Sequence, residues 1–172
     1  RMPGGLLLKI FRPRRRLWLA RLRPPARRFA QNAQRLASLG VCAPKVIEHF
    51  WLDHRAAISA CFYEPLPGTS LDKQFHHQRE SFEASLPDLA AFIRSLHQQG
   101  IYFRSLHLGN ILRLPDGRFG LIDFLDLRIK RAPLSSMLAH RNLKHLQGYL
   151  ARAKIKDFPW LRLMQLYADQ RP

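Results

Sequence analysis

The chain has 172 residues, 47% of them hydrophobic, which is enough for one domain with a real core. Its formal net charge is +17, and no acidic residue precedes Glu48. No apolar run approaches the roughly 20 residues of a membrane-spanning helix, and no secretory signal is evident. Cys42 and Cys61 lack metal-ligand spacing, so we expect free thiols in a reducing compartment.

The first 28 residues form a basic block that contains no acidic residue. Such a block attracts phosphate groups, in nucleic acid, lipid or nucleotide, or it is a solvated face that only aids solubility. Because residue 1 is not methionine, we expect a fragment or a processed chain. Besides Arg1, the basic residues are Lys9, Arg12, Arg14, Arg15, Arg16, Arg21, Arg23, Arg27 and Arg28.

The first predicted element is a short apolar strand, Leu6–Phe11, that contains a lysine, Lys9. A lysine in such a strand either protects a sheet edge or binds a partner, because burying its charge alone is costly. A proline- and arginine-rich loop follows, with one helical turn at Leu17–Leu22. Apolar residues at helical spacing then predict a helix over Ala26–Leu39.

Two strands are predicted next, Lys45–Leu52 and Ala56–Glu64, and the prolines and glycine of residues 65–68 break the second one. Residues 69–80 are polar, and we expect a surface segment there. Ser85 begins a helix that ends at Gly100, followed by a short strand, Ile101–Phe103.

The most informative stretch is a predicted hairpin. The turn Leu114–Gly117 joins two apolar runs, Asn110–Arg113 and Phe119–Ile122, and an Asp-Gly pair in that place favours a hairpin. Such a hairpin brings Asn110 and Asp123 to one end of a ribbon. Amide and carboxylate oxygens are the ligands that hold Mg²⁺ against nucleotide phosphates.

After the hairpin, Asp126 either assists at the metal or forms a salt bridge with Arg128, and the salt bridge is the expected outcome. A long helix is predicted over Pro133–Ala153, and a last packing helix in the tail to Pro172. The expected buried face of the long helix is Met137, Leu138, Leu143, Leu146 and Leu150.

These motifs resemble protein-kinase-like phosphotransferases. The segment Phe103–Asn110 aligns with the catalytic loop H-R-D-L-x-x-x-N, and Asp123–Leu125 aligns with D-F-G. The strings His-Leu-Gly-Asn-Ile-Leu and Leu-Ile-Asp-Phe are similar to those of bacterial lipopolysaccharide-core (Kdo/heptose) kinases, which include toluene tolerance proteins. The resemblance covers residues from about 5 to about 150.

The resemblance implies an α+β, protein-kinase-like fold with a truncated N-terminal β lobe and a mainly helical C-terminal lobe. It divides the chain into a partial small lobe, residues 1–64, a hinge, residues 65–68, and a large lobe, residues 69–172. The cofactors implied are ATP and Mg²⁺. The site residues implied are Lys9 for the phosphates, Phe62, Tyr63, Glu64 and Leu66 at the adenine, Asn110 and Asp123 for the metal, and Arg104, Ser105 and His107 in the catalytic loop.

The chain departs from the kinase pattern at three places. Ser105 stands where kinases have the aspartate that accepts the hydroxyl proton, and His107 either replaces it or only packs within the loop. No acid in the predicted first helix can pair with Lys9, although Gln31 or Gln34 can donate or accept a hydrogen bond. The glycine-rich phosphate loop is absent from residues 2–5, so we expect it before residue 1.

Three functions remain open on the sequence. The first is ATP-dependent phosphorylation of a sugar hydroxyl in the lipopolysaccharide inner core, by a cytoplasmic protein that is peripheral to the inner face of the membrane and binds anionic glycolipid. The second is a degenerate kinase fold that binds without transferring phosphate. The third is a basic nucleic-acid-binding module, but no binding motif favours a specific nucleic acid. The oligomeric state is left open.

Overall fold

A computed structural model describes residues 5–13 and 15–169. These residues have a mixed α/β structure with small antiparallel sheets. They divide into two compact units, one made of the described residues up to Pro67 together with Gly120–Leu125, the other of Gly68–Phe119 and the described residues from Asp126 onward. None of the helices in the described ranges is long and apolar enough to cross a membrane.

The first unit is a three-stranded sheet with helices beside it. The strand order is β1-β3-β2, and both pairings are antiparallel. The predicted strands and helices of this region are confirmed. Their bounds are β1 Leu7–Phe11, α1 Leu17–Leu22, α2 Pro25–Ser38, β2 Lys45–Asp53 and β3 Ile58–Glu64.

Helix α2 forms where the sequence predicts it because its apolar residues recur every three or four positions. Pro25 occupies the first turn, where a missing backbone N–H costs nothing. The buried stripe of the helix packs on the sheet. It consists of Ala26, Phe29, Ala33 and Leu36, with one polar member, Asn32.

The second unit is mainly helical. Its bounds are β4 Thr69–Ser70, α3 Leu71–His77, α4 Arg79–Ala84, α5 Leu86–Gln98, β5 Ile101–Tyr102, a 3₁₀ turn Leu108–Asn110, β6 Ile111–Arg113, β7 Phe119–Leu121, β8 Arg128–Ile129, α6 Ser136–Arg152 and α7 Trp160–Asp169. The strand orders are β4-β6-β7 and β5-β8, and the division between the two units passes through β7, after Phe119.

Residues 69–80, predicted only as a polar surface segment, contain α3 and the start of α4. The Ser70 side chain accepts a hydrogen bond from the Lys73 backbone N–H, which caps α3. Leu71 and Phe75, one helical turn apart, are buried. Two apolar residues in such a polar stretch are too few to show a period in the sequence.

The predicted turn of the hairpin is confirmed. The Gly117 backbone N–H donates to the Leu114 carbonyl at 3.0 Å, and Gly117 has a left-handed φ of 85°. The Asp116 carboxylate accepts from the Arg118 backbone N–H at 3.0 Å. Glycine suits this position because it takes a positive φ without a steric penalty.

Helix α6 begins three residues later than predicted. Ser135 caps it by accepting from the Leu138 backbone N–H, so residues 133–135 lie outside the helix. Met137 is 76% exposed, which corrects its place in the expected buried face. It lies about 200° around the helix from buried Ala139, at 100° per residue.

Candidate functional site

In the first unit, Lys9 of β1 and Asp123 form an ion pair. The Lys9 Nζ lies 2.6 Å from the Asp123 Oδ1, and the two side chains are 29% and 60% exposed. The residues are 114 positions apart in sequence. The pair therefore brings together, within one unit, the predicted phosphate-binding lysine and one predicted metal ligand.

Helix α2 holds the segment that carries Asp123. The Phe124 ring stacks on Phe29 with centroids 4.5 Å apart and an interplanar angle of 3°. The Asn32 side-chain amide donates to the Phe124 carbonyl at 3.0 Å, and Asn32 is only 6% exposed. The Lys9 ammonium also lies over the Phe29 ring, 4.9 Å from its centroid. Phe29 thus contacts both the lysine and the aspartate segment.

Asp123 has a left-handed backbone, with a φ of 52°. A non-glycine residue in this region is uncommon and persists only where its surroundings hold it. The preceding residues supply that support, since the Leu121 backbone N–H donates to the Cys42 carbonyl at 2.9 Å. A Cβ on Gly120 would lie 2.7 Å from the end of the Leu66 side chain and 3.0 Å from the Cys42 carbonyl oxygen, so a larger residue would require both to shift.

The sequence interpretation missed Asn32 and gave Gln31 or Gln34 as the partner of Lys9. That expectation is wrong, because both glutamines are exposed and Lys9 pairs with Asp123. The helical period carries the signal that was available. Asn32 lies between the apolar positions Phe29 and Ala33 of α2, where an amide must find a buried partner.

The predicted adenine-site residues lie at the end of β3 and just beyond it. Phe62 and Tyr63 pair with both neighbouring strands, so their backbone is part of the sheet. Glu64 pairs only with Lys45, and Pro65 has no N–H to donate. The backbone groups that remain for an adenine ring in this stretch are therefore those of Glu64 and Leu66 and the Pro65 carbonyl.

Two side chains near Glu64 titrate away from their ordinary range. Burial raises the pKa of the Cys61 thiol to about 11, against the opposing effect of the nearby Lys9 charge. Burial also raises the pKa of Tyr63, with Cys61 and Asp123 adding to the effect. Cys61 is a free, buried thiol, and Cys42 is free and half-buried.

In the second unit, Ser105 contacts a carboxylate. Its Oγ donates to the Asp126 Oδ2 at 2.8 Å. The expected Asp126–Arg128 salt bridge is not formed within the described ranges, because Asp126 turns to Ser105 instead. The Asp126 Oδ1 is buried and has no hydrogen-bond partner among the described residues. The Asp126 carboxylate is therefore hydrogen-bonded to Ser105, the residue at the position where the resemblance implies a catalytic aspartate.

Asn110 is oriented by the same loop. Its side-chain amide donates to the Ser105 carbonyl at 3.0 Å, and its backbone N–H donates to the His107 carbonyl at 2.9 Å. Because the Nδ2 group is engaged, the Oδ1 atom remains as the ligand for a cation. Asn110 is buried.

The His107 ring stacks on Tyr149 of α6, with centroids 4.5 Å apart and an interplanar angle of 15°. The Tyr149 hydroxyl donates to the Asp72 Oδ1 at 2.7 Å. Burial and then Asp72 raise the pKa of Tyr149 to about 12. His107 is thus held by packing against an aromatic ring that is itself anchored.

Helix α6 fixes the start of the segment Phe103–Asn110 through Asn142. Its Nδ2 donates to the Phe103 carbonyl at 2.5 Å, and its Oδ1 accepts from the Phe103 backbone N–H at 3.3 Å. The backbone partners settle which atom of the amide is oxygen. The His97 Nε2, 3.2 Å from that oxygen, must therefore donate to it, and the Nδ1 accepts from the Tyr167 hydroxyl at 2.7 Å. Burial lowers the pKa of His97 to about 4, so the ring is neutral.

Arg104, the remaining predicted site residue of the segment Phe103–Asn110, is exposed and lines a cavity of about 470 Å³. The described residues contain no group of three or more histidine, cysteine, aspartate or glutamate side chains that could hold a metal ion. A carboxylate and an amide oxygen are nevertheless hard ligands of the kind that Mg²⁺ uses when phosphates and waters complete its shell. Asp123, in the first unit, and Asn110, in the second, each supply a donor of that kind.

No model of a known protein family matches the chain, and no curated protein matches it.

Proposed function

We propose that the chain is an ATP-dependent phosphotransferase with a protein-kinase-like α+β fold, similar to lipopolysaccharide-core kinases, that phosphorylates a sugar hydroxyl of the lipopolysaccharide inner core. The observation that carries the proposal is the Lys9–Asp123 ion pair at 2.6 Å. A strand lysine and an aspartate that follows a hairpin are the two residues that a kinase-like site uses for phosphates and metal.

In this proposal Lys9 binds the α- and β-phosphates, and Asp123 and Asn110 hold Mg²⁺ when it is bound. The metal would neutralise charge on the phosphates. The residues Phe62, Tyr63, Glu64 and Leu66 form the adenine side, with the backbone contacts supplied by Glu64 and Leu66. The exposure of Asp123 supports this role, because a carboxylate that receives a metal must be reachable.

The Ser105–Asp126 hydrogen bond supports Asp126 as the general base in place of the aspartate that the loop lacks. Asp126 already accepts a hydrogen bond from a hydroxyl, the kind of donor that an acceptor sugar would present, with 2.8 Å between the Ser105 Oγ and the Asp126 Oδ2. We assign Asp126 as the group that takes the proton of the acceptor hydroxyl while the acceptor oxygen bonds to the γ-phosphorus and the bond to the ADP oxygen breaks. Ser105 positions the carboxylate, and Arg104 and His107 shape the loop around it.

The basic first unit supports a membrane-peripheral location at the cytoplasmic inner face. Trp18 and Leu22 of α1 are 63% and 70% exposed, and Arg21 and Arg23 are also exposed. Exposed aromatic and leucine side chains among arginines suit an anionic glycolipid surface. Arg14, part of the same basic block, lies outside the described residues.

The second candidate function is a degenerate kinase fold that binds without transfer, and one observation favours it. Lys9 and Asp123 neutralise each other in the absence of any acid on α2, so the two functional residues can serve a purely structural role. A transfer assay separates the two functions. With radiolabelled ATP, Mg²⁺ and lipopolysaccharide truncated to its inner core, label in the glycolipid supports the enzyme, and its absence at every metal concentration supports the degenerate fold.

A further inference from the structure

Four cationic side chains line one cavity of the second unit. The cavity has a volume of about 470 Å³, and its lining contains no acidic residue. All four side chains are exposed, and none forms an ion pair with a described residue. The four cations are Arg104, Arg128, Lys130 and Arg141.

Three separate elements bring these charges together. The antiparallel pairing of β5 with β8 sets Arg128 opposite Tyr102, which also lines the cavity. Arg104 follows Tyr102 by two residues in the catalytic loop. Arg141 follows Leu138, another lining residue, by three positions and therefore lies on the same face of α6.

The segment that carries Lys130 is held close to the end of α5. The Lys130 backbone N–H donates to the Gly100 carbonyl at 3.0 Å. Gly100 has a φ of 74°, and a Cβ there would lie 2.5 Å from the Ala132 carbonyl oxygen. The position therefore requires glycine, and the cationic wall is built by the fold rather than by a loose loop.

A neighbouring histidine responds to the positive charge. The His145 Nε2 lies 2.9 Å from the Tyr102 hydroxyl. Burial lowers the pKa of His145 first, and the charges of Arg104 and Arg141 lower it further, with Asp126 opposing them. Arg104, Arg141 and the proposed base, Asp126, therefore all influence the pKa of His145. Unpaired like charges around a cavity repel each other, and an anion removes that repulsion.

We propose that this cationic cavity binds a phosphate group already present on the acceptor. Arg104 is adjacent in sequence to Ser105, so an acceptor anchored by its phosphate presents a hydroxyl towards the Ser105–Asp126 pair. The assignment of the anion to the acceptor rests on the proposed phosphotransferase function. The existence of the anion site does not, and it is tested separately.

The test is calorimetric titration of the full chain with inorganic pyrophosphate, without nucleotide or Mg²⁺. The double variant Arg128→Gln/Arg141→Gln removes two cavity charges, and Lys73→Gln/Arg162→Gln removes two exposed charges elsewhere in the second unit. We expect the cavity variant to raise the Kd for pyrophosphate at least about tenfold, because charge-assisted hydrogen bonds are lost. The control variant should change it by less than about twofold, since distant exposed charges are screened. The same comparison is repeated in a Lys9→Met background, which removes any pyrophosphate that Lys9 binds, and it should give the same ratio of Kd values.

Several outcomes would overturn the proposal. Equal weakening in both double variants would show a general charge effect, and loss confined to Lys9→Met would place the anion at the nucleotide site. Glucose and glucose 6-phosphate serve as further probes, and equal affinity for the two would show that the phosphate group is not recognised. Binding of an oligonucleotide by a chain that binds neither pyrophosphate nor glucose 6-phosphate would assign the cavity to nucleic acid and would also contradict the proposal. In the transfer assay, the cavity variant should raise the KM for the glycolipid and leave the KM for ATP unchanged. A chain that transfers nothing still yields the pyrophosphate result.

Discussion

Lys9 pairs with Asp123 because α2 offers no carboxylate. The pair is substantially exposed, and exposed ion pairs contribute only about 0–1 kcal/mol to stability. A pair this weak is readily opened by a stronger ligand on each side, a phosphate for the lysine and a divalent cation for the aspartate. The same contact that looks structural is therefore suited to exchange for Mg²⁺ and ATP.

Asp126→Asn tests the proposed base. The amide keeps the shape of the side chain and its hydrogen bond to Ser105 but cannot take a proton. We expect the transfer rate to fall by about 10²–10⁴-fold, the usual contribution of a general base. Nucleotide affinity should not change, because Asp126 lies outside the nucleotide contacts. The measurement is single-turnover transfer beside a nucleotide titration, and an unchanged rate would remove Asp126 from the chemistry.

His97 gives the chain a pH-dependent stability. Burial lowers its pKa from 6.5 to about 4, so between these values the unfolded chain takes up a proton that the folded chain does not. The stabilisation is complete above pH 6.5 and is lost as the pH falls towards 4, by about 3 kcal/mol in total. The free energy of unfolding, measured in urea, should decrease as the pH falls across this range, and His97→Gln should reduce the slope of that dependence on pH. His140→Gln, an exposed histidine on α6, should keep the slope, and equal slopes in all three chains would contradict the assignment.

At the scale of elements, the segment Phe103–Asn110, the proposed catalytic loop, is positioned by its neighbours. Asn142 of α6 binds both backbone groups of Phe103, and His97 of α5 orients Asn142. The loop therefore depends on two helices that pack beside it. Its backbone is held by contacts with these helices.

Gly100 is the element-scale position most sensitive to substitution. Gly100→Ala combines a positive φ with a Cβ 2.5 Å from the Ala132 carbonyl oxygen, so we expect it to cost at least about 2 kcal/mol of unfolding free energy. Gly148→Ala is the matched control, because Gly148 lies inside α6 and meets only the end of the Arg152 side chain. That variant should gain about 0.5–1 kcal/mol. Chemical denaturation measures both, and a neutral Gly100→Ala would show that the segment can move away.

The helical and strand periods explain why much of the secondary structure was predictable. The stripe of Phe29, Ala33 and Leu36 predicts α2, and Asp116-Gly117 predicts the hairpin turn. Helix α3 was missed because a single pair, Leu71 and Phe75, carries its burial. A helix can be predicted from its sequence where several apolar residues recur at helical spacing. It cannot be predicted in this way where only one pair of apolar residues is buried.

The site is less predictable because its contacts join distant residues. Motif spacing named Lys9 and Asp123, but only the fold shows them 2.6 Å apart. Nothing in the sequence indicates that Asp126 prefers Ser105 to the nearby Arg128, since that choice depends on which side chain the loop presents. The cationic cavity likewise depends on strand register and helix phase together.

At the scale of the whole molecule, the central claim is a nucleotide site built around Lys9 and Asp123. The most direct test is calorimetric titration of the chain with ATP in the presence and absence of Mg²⁺, beside Asp123→Ala and a control, Asp169→Ala, that removes an exposed acid from α7. We predict binding that requires Mg²⁺, is lost in Asp123→Ala and persists in Asp169→Ala. Absence of ATP binding by the unmodified chain, or binding unaffected by Asp123→Ala, would contradict the account.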